Sequence, residues 1–136
     1  MAFDKYKVLY TYAWGGMDGK YLGGSYSNII IAEPFEICTE TYQEQGVYST
    51  KDEARKHAKY ILTRFARALL YMNKHSRHST TAWGAVPVQS FTEPWWNQSI
   101  ADIDKRLMEK YNIPSDIQKF VFENIQERGE NNIINL

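Results

Sequence analysis

The sequence predicts an α+β fold: a small mixed sheet, one long amphipathic helix and a C-terminal helical pair. Three observations carry this. Residues 5–13 (KYKVLYTYA) alternate polar and apolar and are rich in Tyr and Val, the pattern of a half-buried strand. Thr50 stands three residues before Glu53, forming a capping box, and Ala54, Ala58, Ile61, Phe65, Leu69 and Met72 then recur at spacings of three or four. Two further start signals, Ser99 with Asp102 and Ser115 with Gln118, flank the break at Asn112–Pro114. A chain of 136 residues is read as one domain, 1–136, with an ordinary core.

Between these landmarks the remaining elements follow from local chemistry. The segment 14–25 holds five glycines and reads as a loop. A second strand is expected at 28–32, ended by Pro34, and a third within CTETYQEQGVY (38–48), where Gly46 marks a turn or bulge. The long helix should fray near Asn73 into the polar connection KHSRHST. VPVQSF (86–91) reads as a short strand before the aromatic corner EPWW. The first C-terminal helix carries Ile100, Ile103, Leu107 and Tyr111. The second carries Ile117, Phe120, Val121 and Ile125, runs on to Gly129 as its C-terminal cap, and leaves ENNIINL as a frayed tail.

A net charge of zero hides a segregation. Residues 51–78 hold eight Lys and Arg against Asp52 and Glu53, while residues 1–50 hold six acids against three lysines. Charge of one sign on one segment matters more for polyanion binding than the total. At about 100° per residue on a continuous helix, Lys56, Lys59, Thr63, Arg67 and Lys74 fall opposite the apolar stripe, giving a basic ridge that continues into His75, Arg77 and His78. Lysine and arginine neutralise phosphates, and Arg, Asn and Gln read base edges, so Gln89 joins the set of candidate DNA contacts. The single cysteine, Cys38, rules out an internal disulfide, and no apolar run approaches the length of a membrane span. The chain is expected to be cytoplasmic.

Other chemistries lack a complete residue set. The glycine stretch GGMDGK continues into Tyr21, where a phosphate loop needs Ser or Thr. Asp18, Gly19 and Lys20, with Asp4 upstream, match the acid-x-Lys triplet of Mg-dependent nucleases, but in a glycine loop rather than on a strand. His75 and His78 are three apart without a third metal ligand in a cationic neighbourhood, and Cys38 has no His partner in sequence. No catalytic residue, metal or cofactor is assigned to this chain.

Several stretches, taken in order, resemble the C-terminal region of restriction–modification adenine DNA methyltransferases, of the fused type IIG kind and the related type III-like modification proteins. Thr39-Glu40-Thr41-Tyr42 matches a "TETY" segment. Thr63, Arg64, Phe65 and Arg67 match the helix signature, and Pro87, Gln89 and Phe91 match "VPxQxF". Trp95, Trp96 and the Lys110-Tyr111-Asn112-Ile113-Pro114 run complete a match spanning about residues 15–127. Ala66 and Ser90 depart from the pattern. The resemblance implies a target-recognition domain that contacts double-stranded DNA. Lys56, Lys59, Lys74, His75, Arg77 and His78 are the expected phosphate contacts because they lie on the polar side or in the connection, and Arg67 and Gln89 are either DNA contacts or buried partners holding the helix to the strand. The methyltransferase or endonuclease domains would lie in the same or a partner chain. Neither F-x-G-x-G nor N-P-P-Y occurs here, so S-adenosylmethionine and Mg²⁺ are expected only for the parent enzyme, of which this is an excised domain or a stand-alone relative. The alternatives are a structural C-terminal module docked on the methyltransferase core, and a nuclease centred on Asp18 and Lys20.

Overall fold

The computed structural model describes residues 4–11, 17–18, 21–22, 28–36, 42–73 and 82–136. The predicted α+β class holds. Strand β1 (Tyr6–Thr11) is central. Next come β2 (Met17–Asp18) and β3 (Tyr21–Leu22), which among the described residues pair with each other alone, then β4 (Ile29–Ala32) and β5 (Tyr42–Tyr48). β1 runs antiparallel to both β4 and β5, with Val8 opposite Ile31 and Tyr6 opposite Tyr48. Helix α1 (Lys51–Leu62) lies across β1, β4 and β5 and is capped as predicted: Thr50 Oγ1 accepts from the Glu53 amide at 3.3 Å. Val8, Tyr10, Ile29 and Ile31 pack with Ala54, Ala58 and Ile61 to form the core.

The single long helix is two helices. α1 ends at Leu62, Thr63 turns extended with ψ 152°, and α2 (Arg64–Asn73) begins immediately. Thr63 makes the break inexpensive. Its hydroxyl donates to the Tyr60 carbonyl at 2.6 Å and accepts from the Ala66 amide at 3.1 Å, closing one helix and opening the next. The next two amides, Arg64 and Phe65, donate to the two carboxylate oxygens of Asp104 at 2.9 and 2.8 Å. This reset of helical phase also changes the predicted basic ridge. Thr63 and Arg67 are buried, and Arg67 Nε donates to the carbonyls of Leu62 and Thr63 at 3.1 and 3.3 Å, at the end of α1.

Helix α3 (Ile100–Lys110) starts on Ser99 as predicted and buries Ile100, Ile103 and Leu107. After Asn112, at φ 52°, α4 (Ser115–Asn124) begins on Pro114 without the predicted capping box. Gln118 instead donates to the Ile113 carbonyl at 2.8 Å. Val121 is buried, whereas Ile117 and Phe120 face outward. Gly129 opens a short 3-10 turn at Glu130–Asn132 and does not cap α4, which has already ended.

Two predictions fail for a shared reason, hydrogen bonds to partners remote in sequence. The tail forms β6 (Ile133–Ile134), parallel to β4, giving the sheet order β5-β1-β4-β6. Asn135 donates to the Ile31 carbonyl at 2.9 Å, and Arg55 to that of Leu136, which fixes the tail. Residues 86–91 join no ladder: the Pro87 carbonyl accepts from Tyr60 on α1, and the Gln89 side chain bonds to Lys110 at the end of α3 and to Tyr111 just after it.

Candidate functional site

One cleft brings together three elements. It opens between the end of β5, the middle of α1 and the segment 86–91. On β5 the register to β1 shifts: Val8 faces Gly46 but Leu9 faces Glu44, so Gln45 is an extra residue, a β-bulge. The bulge lets both Gln45 and Gly46 lie on the α1 side, where strict alternation would send one of them away. Gly46 admits the helix. A Cβ there would stand 2.3 Å from Nδ1 of His57. Of the turn or bulge expected at Gly46, the bulge is found, with Gln45 as its extra residue, and the close approach of α1 accounts for the glycine beside it.

His57 occupies the apolar side of α1 among Ala54, Ala58 and Ile61 and is buried. Its Nδ1 shares a 2.6 Å hydrogen bond with the Tyr48 hydroxyl. Burial lowers the His57 pKa to about 4. Burial, aided by Glu53, raises that of Tyr48 to about 12, and Tyr60 is also pushed up to about 12, chiefly by burial. Neutral groups therefore line the cleft at pH 7, and His57 is too weak a base to abstract protons efficiently there.

The third wall is held by a polar chain. Tyr60 donates to the Pro87 carbonyl at 2.6 Å. Gln89, largely buried, donates to the Tyr111 hydroxyl at 2.7 Å and accepts from Lys110 at 2.8 Å. Lys110 also reaches Glu93 at 2.9 Å, and Glu93 accepts from the Trp96 indole at 3.0 Å. Burial opposes ionisation of Glu93, but bonds from Lys110 and Trp96 hold its carboxyl below the ordinary value. Phe91 adopts φ 57°, an uncommon conformation for a bulky residue. Its ring meets Trp96 at 4.8 Å, His57 at 5.6 Å and Tyr60 at 6.1 Å.

The cleft holds about 240 Å³, with Gln45, Tyr48, His57, Tyr60, Pro87 and Gln89 among its lining. Val88, at the rim, is 97% exposed. Adding a methyl at Gly46 tests how rigid this arrangement is. Gly46→Ala should destabilise by about 1–3 kcal/mol, the usual cost of overpacking. His57→Ala in the same chain should recover part of that loss, measured by urea unfolding of the single and double variants.

No protein-family model, curated protein or solved structure matches this chain.

The predicted DNA contacts scatter. Lys56 pairs with Asp52 at 3.0 Å and Lys59 donates to the Gln98 carbonyl at 3.0 Å, both from α1. Arg67 and Gln89 are interior residues with structural partners. Lys74, His75, Arg77 and His78 lie outside the described residues, as do Lys20 and Cys38. Asp18 is on β2. Among the described residues, no group of three or more His, Cys, Asp or Glu side chains is placed to hold a metal ion.

Sequence reasoning missed Gln45, the Tyr48–His57 pair and Asp104. A signal for two of them existed. Asp104 interrupts the Ile100, Ile103, Leu107 face, and His57 interrupts the Ala54, Ala58, Ile61 face. A polar residue on an apolar stripe must find a buried partner.

Proposed function

We propose that this chain is a DNA-binding module of target-recognition type in a restriction–modification enzyme, acting in the cytoplasm. It would contribute affinity and specificity while chemistry takes place in another domain. The observation carrying this reading is the concentration of eight Lys and Arg against two acids in residues 51–78, within a chain of zero net charge. The apolar faces of α1 and α2 are occupied by the core, while part of the charge holds the fold: Lys51 pairs with Glu33, Arg55 reaches the Leu136 carbonyl, and Arg64 that of Ile125. The ordered resemblance to adenine DNA methyltransferases supports the same reading. Many of its signature residues serve as scaffold. Phe65 stacks on Tyr111 with ring centroids 5.1 Å apart, Gln89 bonds to Tyr111, and Arg67 sits at the helix junction. The contacts to phosphate are accordingly assigned to Lys56, Lys59, Lys74, His75, Arg77 and His78, with S-adenosylmethionine and Mg²⁺ belonging to the parent enzyme.

A salt titration against a short duplex tests this. Affinity should fall steeply with salt, and Lys74→Ala with Arg77→Ala should flatten the log–log slope by roughly 0.9 for each phosphate contact removed. Absence of binding at low salt would favour the structural reading, in which the module docks on the methyltransferase core. The outward-facing Ile117 and Phe120 on α4 support that second reading. Among the described residues, no helix is long and apolar enough to cross a membrane.

A further inference from the structure

We propose that the cleft between β5, α1 and residues 86–91 receives a single unpaired nucleobase, an inference that rests on the DNA-binding reading above. Its size is the first argument. About 240 Å³ falls short of the roughly 300 Å³ at which cavities begin to hold drug-sized ligands, and suits one flat ring system. Its charge is the second. Tyr48, His57 and Tyr60 are all neutral at pH 7, so these groups bring no positive charge to a phosphate or carboxylate, and a neutral ring is the better occupant.

The walls supply what a base needs. Four aromatic rings, those of Tyr48, His57, Tyr60 and Phe91, border the space and offer surfaces for stacking. Gln45 provides an amide, both donor and acceptor, and among the described residues it has no hydrogen-bond partner. Such an amide pairs with base edges in nucleic-acid recognition. Two backbone irregularities flank this one cleft, the bulge that turns Gln45 toward α1 and the positive φ of Phe91. Irregularities of both kinds concentrate where side chains are aimed at ligands. A fully apolar aromatic side chain of a protein partner would use the rings but leave the Gln45 amide, which lines the same cleft, without a role.

The test compares three duplexes of one sequence: fully paired, with one extra unpaired base, and with an abasic nucleotide at that position. The unpaired base should bind about tenfold more tightly than the abasic form, the size expected from stacking of one base. Gln45→Ala should reduce that preference without changing affinity for the paired duplex; among the described residues the Gln45 side chain has no hydrogen-bond partner, so the variant should fold. Equal affinity for unpaired-base and abasic duplexes, with the paired duplex still bound, overturns the cleft inference and leaves the DNA-binding reading intact. If no duplex binds at low salt, that reading fails, and titration with free adenosine and cytidine decides the cleft by the NMR signals of His57. A saturable shift of the His57 ring protons retains a nucleobase site. No shift, or a shift with N-acetyl-tyrosinamide alone, overturns it.

Discussion

Asp104→Ala should lower folding stability by about 3–5 kcal/mol, the range for removing one partner from a buried charged cluster. The carboxylate is buried on α3 and accepts the Arg64 and Phe65 amides through its two oxygens. Alanine would leave both amides without an acceptor at the start of α2. It would also remove the negative charge facing Arg64 and Arg67. The effect should extend beyond α2, because the same carboxylate fixes how α3 sits against the α1–α2 junction. Asp104→Asn keeps one acceptor oxygen and should lose about half as much, since a single cap bond contributes about 1 kcal/mol or more. Urea unfolding of the three proteins measures this. Equal stability of the alanine variant and the parent would show that the junction forms without its cap.

Elements defined by short-range chemistry were legible in the sequence. Thr50 and Ser99 cap helices where their spacing to Glu53 and Asp102 said they would, and Gly46 marks a bulge. Elements that depend on distant partners were not. The stripe Ala54 to Met72 is continuous at helical spacing, and nothing local says that Thr63 breaks it. The break is stabilised by Asp104, 40 residues away from Arg64. The tail ENNIINL is polar enough to read as frayed, yet Asn135 finds Ile31 across 104 positions. VPVQSF has strand composition, but Tyr60 takes the Pro87 carbonyl and Tyr111 takes the Gln89 amide, so no ladder forms. The cleft was invisible for the same reason, since its walls come from three separated segments. The charge segregation was legible because it is a property of composition. It located a basic segment without distinguishing Lys56 and Lys59 on the surface of α1 from Arg67 inside the junction.

The second large effect is a pH dependence that the parent protein nearly conceals. His57 has its pKa depressed from 6.5 to about 4 by burial, so its neutral form contributes stability above pH 6.5 that is lost as pH falls through 4. That shift corresponds to about 3 kcal/mol. Asp104 has the opposite sign. Burial raises its pKa from 3.8 to about 6, against the pull of the Phe65 and Arg64 amides and of Arg67 and Arg64. The proton-linked part of its contribution is fully present below pH 3.8 and lost as pH rises through 6. This too amounts to about 3 kcal/mol, so the two nearly cancel between pH 6.5 and 4. Removing either group exposes the other. The stability difference between the parent and His57→Phe should shrink by about 3 kcal/mol as pH falls from 7 to 4, because only the parent must neutralise a buried imidazole. The difference between the parent and Asp104→Asn should grow in the parent's favour over the same interval. Urea unfolding at half-unit pH steps resolves both trends. Parallel profiles for the parent and His57→Phe would mean that His57 titrates as an exposed imidazole, and that the wall it shares with Tyr48 and Phe91 opens to water.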